Sequence, residues 1–419
     1  MKLGTAVTPL FLLLAACLDP GKTPPQNVLA GTWRVALTVP GGELPFLMEI
    51  RPDESGVAAT VINGDQRIET RDVYLPGNSV VINFAVFNSR IDASIERGML
   101  VGSLSFVREE GKRHVIPLRA HRGVTDRFSR DNDPPTIDVT GRWEVVFRSR
   151  SGDLTNAVGE FEQNGNKLTG TFLTRTGDYG HLAGNVHGNR IWLSCFDGYH
   201  LFLFYAEVDA QGVMRGDLFS GLHRQETWTG VRNETASLPD PNALTFIKPG
   251  FDRLNFSFPD TTGTLVSLSD PKFDGKAVLV SVSTTWCPNS HDEAALLRSL
   301  YSTYHDRGLE VVTIMYEHVE DFEPAARQVR EFARRHDVKY DLLIGGSSDK
   351  AEASKTLPML NEVVAFPTTI FVDRNRKVRR IRTGFTGPAA GQHYRDLVND
   401  YSSYVEFLLS EPFSRTEWR

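Results

Sequence analysis

The chain has 419 residues, a hydrophobic content of 40% and a net charge of -6, which together indicate an ordinary globular protein with two to four domains. This charge gives no reason to expect nucleic acid as a partner. The chain has 3 cysteines, a number that excludes a disulfide framework and a clustered zinc site.

The first residues have the features of an export signal. An apolar run from Ala6 to Ala16 is too short to span a bilayer as a helix and fits the hydrophobic part of a signal peptide. The run leads into Leu14-Ala15-Ala16-Cys17, which resembles the lipobox of bacterial lipoproteins. The resemblance implies that Cys17 is lipidated and becomes the new N-terminus. The alternative is an ordinary signal peptide that is cleaved after Ala16.

These features predict a location in the cell envelope. We expect residues 1–17 to be the signal with its lipidated cysteine, residues 18–30 to be a flexible tether, and the rest of the chain to face the periplasm. Two acyl chains hold a protein stably at a membrane, whereas one chain is marginal. If the enteric sorting rule applies, Leu18 favours the outer membrane.

Two regions of short β-strands follow the tether. Residues 31–122 show apolar runs separated by turn dipeptides, and residues 139–232 repeat the pattern. Gly31-Thr32-Trp33 is echoed by Gly141-Arg142-Trp143, and two further motif pairs keep a near-constant offset. The pattern predicts two duplicated antiparallel β domains, each a barrel or a sandwich, or else two halves of one sandwich. We expect Trp33 and Trp143 to plug the barrel ends, with a ligand site as the alternative.

Polar, proline-rich composition predicts linkers at residues 123–138 and 233–250. From residue 251 to residue 412, strand-like runs alternate with amphipathic helical segments. This alternation is typical of an α/β domain with a mainly parallel core.

Two short motifs in this last region define a candidate site. A buried-strand pattern leads into Trp286-Cys287-Pro288, and Phe366-Pro367-Thr368 lies further along the chain. The two motifs resemble the active-site turn and the cis-proline loop of the thioredoxin-like domain in the TlpA and redoxin (AhpC/TSA type) families. The resemblance implies a thioredoxin fold, an extracytoplasmic thiol–disulfide oxidoreductase and a protein or small-molecule thiol or disulfide as partner. Glu293 stands where these families often have an acidic residue near the active site.

The chemistry of the residues agrees with this resemblance. Cys287 lies at a strand-to-helix junction, where the helix dipole and free N–H groups lower a thiol pKa. Trp286 would shield the site, and a cis Pro367 would leave backbone groups free to pair with an extended substrate. Glu293 is either a proton relay that tunes the thiol or a solvated acid in the first helical turn.

One position departs from the family pattern. Ser290 stands where the family has its second cysteine, and a serine cannot resolve a mixed disulfide, although its hydroxyl can hydrogen-bond the thiolate. Three routes remain: resolution by a small thiol or a partner protein, resolution by Cys195, or one-cysteine peroxidase chemistry. Cys195 lies in an apolar strand, which favours a buried structural thiol. Val280 replaces a proline that peroxiredoxins carry, which disfavours the peroxidase.

The remaining polar residues predict no further site. The 11 histidines show no metal-ligand spacing, so we expect no metal and no cofactor. His291 is predicted to be either a solvated helix residue or a stabiliser of the Cys287 thiolate. His318 and His336 are predicted to lie in solvent at the ends of their secondary-structure elements. The leading hypothesis is thiol-based oxidoreduction by a single cysteine. The rival is a non-catalytic binding or assembly lipoprotein on a degenerate thioredoxin fold.

Overall fold

The computed structural model describes residues 29–53, 56–107, 112–128, 133–251 and 253–413. Cys17, the predicted signal and the tether up to residue 28 lie outside the described residues. Within the described part of the chain, no helix is long and apolar enough to cross a membrane.

The first β domain is an antiparallel sheet. Its strands are β1 (Gly31–Val39), β2 (Gly42–Asp53), β3 (Gly56–Asn63), β4 (Gln66–Thr70), β5 (Val73–Tyr74), β6 (Ser79–Phe84), β7 (Ser89–Glu96), β8 (Met99–Val107) and β9 (Arg113–Arg122). They follow the order β4-β3-β2-β1-β9-β8-β7-β6-β5. The Asn83 carbonyl of β6 accepts from the Thr70 hydroxyl of β4 at 2.8 Å, so the two ends of the sheet nearly close a barrel.

The second β domain is a closed barrel. Its strands are β10 (Gly141–Ser149), β11 (Leu154–Asn164), β12 (Lys167–Thr174), β13 (Gly177–Asp178), β14 (Leu182–His187), β15 (Arg190–Phe196), β16 (Leu201–Val208), β17 (Met214–Ser220) and β18 (Arg224–Arg232). The order is β11-β10-β18-β17-β16-β15-β14-β12-β13, and pairing of β11 with β12 closes the barrel. The second barrel encloses an apolar core of its own, whereas the core of the first sheet also includes Phe196, Leu201 and Leu203 from the second barrel. The predicted pair of antiparallel β domains is therefore confirmed, and the alternative of one shared sandwich is wrong.

The two tryptophans that marked the repeat occupy equivalent places. The Trp33 indole N–H donates to the Leu29 carbonyl at 2.8 Å, and the Trp143 indole N–H donates to the Val139 carbonyl at 2.9 Å. Both side chains are buried in the cores. The structure thus supports a packing role for each tryptophan over a ligand site, because each polar atom is already used inside the protein.

The C-terminal region is a mixed sheet with helices. Its elements are the hairpin β19 (Ser257–Pro259) and β20 (Leu265–Ser267), the strands β21 (Ala277–Ser283), β22 (Leu309–Glu317), β23 (Asp341–Ser347), β24 (Thr368–Val372) and β25 (Val378–Thr383), and the helices α1 (Pro288–Tyr304), α2 (Phe322–His336), α3 (Lys350–Thr356) and α4 (Gln392–Ser410). The sheet order is β23-β22-β21-β24-β25, with β21, β22 and β23 parallel.

Apolar clusters show how the layers of this region pack. Residues of α1, α2 and α4 cover one face of the sheet, while β20 and α3 cover the other. All seven residues of β21 are buried, as expected for the central strand of such a sheet. This is the thioredoxin fold that the sequence predicted. Its candidate site lies where β21 ends and α1 begins.

Candidate active site

Cys287 is held by the turn between β21 and α1. It is the N-cap residue of α1, and Pro288 occupies the first helical position, where its missing N–H costs nothing. The Cys287 N–H donates to the Thr284 hydroxyl at 3.2 Å, and its carbonyl accepts from the Ser290 N–H at 2.9 Å. These bonds fix the backbone of the turn, so the thiol has a defined direction.

The turn faces the loop that contains Pro367. The peptide bond between Phe366 and Pro367 is cis. The Cys287 thiol donates to the Phe366 carbonyl, with Sγ and O 3.7 Å apart. The structure therefore brings together the two motifs that lie far apart in the sequence, and it places a backbone acceptor of the loop at the thiol.

The thiol environment differs from the sequence expectation. Cys287 is half-buried, and the protein around it removes enough water to raise the pKa of the thiol to about 11. The backbone N–H groups of Ser290 and Asn289 and the Ser290 hydroxyl lower the pKa, but together they do not offset the desolvation. The expected low thiol pKa is thus not found in this conformation.

Ser290 lies directly beside this thiol. Its side chain is buried. Its hydroxyl makes no well-aligned hydrogen bond with any of the described residues. It nevertheless lies close enough to act on the Cys287 pKa. The hydroxyl is therefore an unused donor next to the sulfur, and it becomes useful when the sulfur carries a negative charge.

Glu293 is buried below the first turns of α1. Its carboxyl oxygens accept hydrogen bonds from the Ser281 and Thr369 hydroxyls, both at 2.5 Å. Burial raises the pKa of Glu293 to about 7, although both hydroxyls favour the ionised form. The interpretation as a solvated acid is therefore wrong, because only 1% of the residue is exposed. Glu293 can hold or release a proton near neutral pH.

Trp286 contributes to an aromatic cluster. Its ring centroid is 4.4 Å from that of His318 and 5.1 Å from that of Tyr199. The Tyr199 hydroxyl and the Ser348 hydroxyl both bond the His318 ring, at 3.3 and 2.9 Å. Tyr199 follows strand β15, so a residue of the second β domain shields the turn that holds Cys287. His318, expected to be solvated, is instead a packing partner of Trp286.

Comparison with known proteins agrees with this geometry. The sequence model of the AhpC/TSA family matches residues 250–381. The chain is 30% identical over 138 residues to the thioredoxin-like protein YneN of Bacillus subtilis, a match that covers 33% of this chain and 73% of YneN. The chain belongs to the AhpC/TSA family.

Other relatives carry redox names. The thiol-disulfide oxidoreductase ResA of Bacillus thuringiensis is 25% identical over 129 residues, which cover 31% of this chain and 66% of ResA. A solved structure of a DsbE-like thiol:disulfide interchange protein from Chlorobium tepidum has 18% sequence identity to this chain and a TM-score of 0.30. The match covers 38% of this chain and 99% of the Chlorobium chain. The family match and the curated relatives support a thiol–disulfide oxidoreductase-like thioredoxin fold for the C-terminal AhpC/TSA domain.

A second buried acid of the AhpC/TSA domain, Glu317, was missed in the sequence. It ends β22, and its carboxyl oxygens accept from the Thr285 N–H at 3.0 Å and the Thr285 hydroxyl at 2.7 Å. Burial raises the pKa of Glu317 to about 8, against the effect of both hydrogen bonds. Glu317 thus holds the residue just before Trp286. Glu317 directly precedes His318, which the sequence indicated to be a solvated end of an element, so nothing in the sequence pointed to this contact.

Two histidines hold the same turn from its other side. His291 Nε2 lies 2.8 Å from the Thr285 carbonyl, and His291 Nδ1 lies 2.6 Å from His336 Nε2. A carbonyl only accepts, so Nε2 of His291 carries the hydrogen and Nδ1 accepts from His336. Burial lowers the pKa of His291 well below 6.5 and that of His336 to about 4. Both rings are therefore neutral, and His291 is neither solvated nor a cationic partner of the thiolate.

Both β domains pack on the first turn of α1. Phe87 of the first domain contacts the His291 ring, with centroids 4.7 Å apart. The Asn289 amide donates to the carbonyls of Asp178, in the second domain, and Phe385, at 3.4 and 3.3 Å. The β domains are thus structural neighbours of the turn that holds Cys287.

Cys195 lies elsewhere. It is fully buried on β15 in the core of the second barrel, and burial raises the pKa of its thiol well above the ordinary value. Cys195 and Cys287 are both free thiols. This environment suits a structural thiol and does not favour Cys195 as the group that resolves Cys287. Among the described residues, no cluster of histidine, cysteine or acidic side chains has the arrangement of a metal site.

Proposed function

We propose that this protein performs thiol–disulfide exchange through the single cysteine Cys287, on protein or small-molecule disulfides. One observation carries the proposal: Cys287 is a partly exposed residue at the N-cap position of α1, and its Sγ lies 3.7 Å from the Phe366 carbonyl oxygen of the cis-proline loop. The redox names of the relatives support the same reaction class.

The reaction requires no second cysteine in its first step. The Cys287 thiolate attacks one sulfur of the substrate, a new disulfide forms, and the leaving thiolate takes up the proton released by Cys287. The Ser290 hydroxyl stabilises the negative sulfur, Glu293 holds or supplies a proton, and Trp286 limits access of water. The Pro367 loop offers its backbone to the substrate.

Release of the mixed disulfide needs an outside thiol, because Ser290 cannot attack. A low-molecular-weight thiol or a partner protein attacks the mixed disulfide, and Cys287 leaves as the thiolate. The protein therefore works by monothiol exchange. It does not form an internal disulfide within the turn.

Mass spectrometry of the intact protein after reaction with a model disulfide tests this function. We expect one adduct, located on Cys287, that a small thiol reverses, and no adduct in Cys287→Ser. The pH dependence of Cys287 alkylation gives the thiol pKa in the same samples. Absence of an adduct over a wide pH range would refute the proposal.

A second candidate is a non-catalytic binding or assembly protein. The observation that favours it is the pKa of about 11 for the Cys287 thiol, which leaves little thiolate at neutral pH. The alkylation experiment separates the two functions, because a binding protein tolerates Cys287→Ser and needs no reactive thiol.

We also propose that the protein is lipid-anchored in the cell envelope, facing the periplasm, with the outer membrane favoured. Support comes from the lipobox-like Leu14-Ala15-Ala16-Cys17 and from Leu18 after it. Incorporation of a labelled fatty acid into the wild type but not into Cys17→Ser is the expected result. Equal labelling of the two proteins contradicts the anchor.

A further inference from the structure

A cleft of about 1030 Å³ opens beside Trp286. Its walls come from two domains: Tyr199 from the second barrel, and residues 318–321, Pro324 and residues 347–352 of the AhpC/TSA domain. Tyr199, Trp286 and His318 form one aromatic wall, since their ring centroids lie 4.4 to 6.4 Å apart. The volume is sufficient for a short peptide segment.

The cleft lies next to the reactive sulfur. Phe366 lines it, and the carbonyl of the same residue accepts from the Cys287 thiol. Lys350 also lines it and lies within electrostatic reach of Cys287. A substrate whose sulfur reaches Cys287 therefore has its neighbouring residues in this cleft.

The lining is strongly unbalanced in charge. It contains the carboxylates of Glu320, Asp321, Asp349 and Glu352 and the single amine of Lys350. Asp349 is used by α3, because it accepts from the N–H groups of Ala351 and Glu352, both at 2.9 Å, and Glu352 pairs with Lys355 at 2.6 Å.

The remaining two carboxylates are available to a ligand. Asp321 begins α2, but its side chain makes no capping hydrogen bond there. Glu320 precedes it and is exposed, with no ion pair to any residue of the described ranges. Two carboxylates beside an aromatic wall form an environment that suits the ammonium or guanidinium group of a ligand.

We propose that this cleft selects disulfides carried by basic peptide segments, in which lysine or arginine flanks the substrate cysteine. The inference rests on the proposed exchange function and names its substrate class. The basic side chain lies against the aromatic wall near Glu320 and Asp321, while the substrate sulfur reaches Cys287.

Such a substrate also activates the thiol. Burial disfavours the Cys287 thiolate in the free protein, and a positive charge brought next to the sulfur favours it. A second basic residue beside the substrate cysteine, apart from the one that pairs with Glu320 and Asp321, therefore favours reaction as well as binding. The exchange itself is balanced: the Sγ–S bond to the peptide forms as the substrate disulfide breaks, and the leaving thiolate takes up the proton of Cys287.

Three short peptides with one cysteine each provide the test. The cysteine carries a thiopyridyl disulfide and is flanked by lysines, glycines or glutamates, so that the leaving group is the same throughout. Release of thiopyridone by the full-length protein is followed by absorbance. Reaction of the same peptides with free cysteine corrects for their intrinsic reactivity.

We expect the lysine peptide to react at least about fivefold faster than the glycine peptide, and the glutamate peptide to react more slowly than both. Higher ionic strength should reduce these ratios. The variant Glu320→Gln/Asp321→Asn should bring the lysine-to-glycine ratio to about twofold or less. Glu323→Gln is the matched control, since Glu323 pairs with Arg330 at 2.6 Å and lies outside the cleft.

The possible outcomes distinguish the preference for basic substrates from the thiol–disulfide exchange function. Equal rates for the three peptides, or a ratio that survives the double substitution, overturn the inference and leave the exchange function intact. Absence of reaction with all three peptides refutes the exchange function itself. Because both substituted side chains are exposed, the double variant should fold, and its circular dichroism spectrum verifies this.

Discussion

Replacement of Glu317 by glutamine should remove a pH-dependent loss of stability. In the folded protein, burial raises the pKa of Glu317 from 4.5 to about 8, whereas the solvated side chain of the unfolded chain titrates near its ordinary value. Between these pH values the folded state holds a proton that the unfolded state has released. The free energy of unfolding therefore falls as the pH rises through this range, and it levels off above about pH 8.

The interval between the two pKa values sets the magnitude. A pKa of about 8 against 4.5 corresponds to a loss of at most ~5 kcal/mol, since each tenfold change in proton affinity is worth about 1.4 kcal/mol. Glutamine has nearly the same shape and keeps the contacts, because its carbonyl can accept from the Thr285 N–H and its amide can donate to the Thr285 hydroxyl. The substitution thus removes the charge and leaves the packing in place.

Urea unfolding of wild type and Glu317→Gln near pH 5 and near pH 9 measures the effect. We expect the variant to gain about 2 to 5 kcal/mol relative to wild type on going from the acidic to the basic condition. Glu323→Gln, which removes an exposed carboxylate, is the control. If wild type and Glu317→Gln show the same pH dependence, Glu317 does not hold a proton in the folded protein.

Two other substitutions test the buried polar groups. Glu293→Gln should flatten the same profile between pH about 4.5 and about 7, since burial raises the pKa of Glu293 to about 7; unchanged curvature there would contradict that shift. Trp143→Phe should cost about 1 to 3 kcal/mol in thermal unfolding, because the buried Val139 carbonyl loses its donor. A neutral effect would mean that water replaces the indole N–H.

The sequence was sufficient for features that depend on local patterns. Two motifs identified Cys287 and Pro367, and the repeated glycine and tryptophan positions predicted the two β domains. In both cases the decisive residues are close together in the chain, or repeat at a fixed offset. The patterns of apolar residues in single strands and helices predict the rest of the fold class.

Features that arise from packing between domains were not predictable. Tyr199 reaches Trp286 from a different domain, and nothing in its neighbourhood distinguishes it from a loop tyrosine. Glu317 ends its strand like an exposed residue, yet the turn before Cys287 covers it. The predicted lowering of the Cys287 pKa was wrong for the same reason. The helix N-terminus is visible in the sequence, whereas the desolvation that raises the pKa comes from the surrounding fold.

Several buried acids lie around the turn that holds Cys287. Glu293, Glu317 and Asp197 are all buried, and the charge of Asp197 already raises the Cys287 pKa. As the pH rises through about 7 and 8, Glu293 and Glu317 lose their protons, which adds negative charge to the buried surroundings of the turn. A positive charge supplied at the site acts in the opposite direction at constant pH. The negative charge around the turn therefore agrees with the proposed activation by a basic substrate.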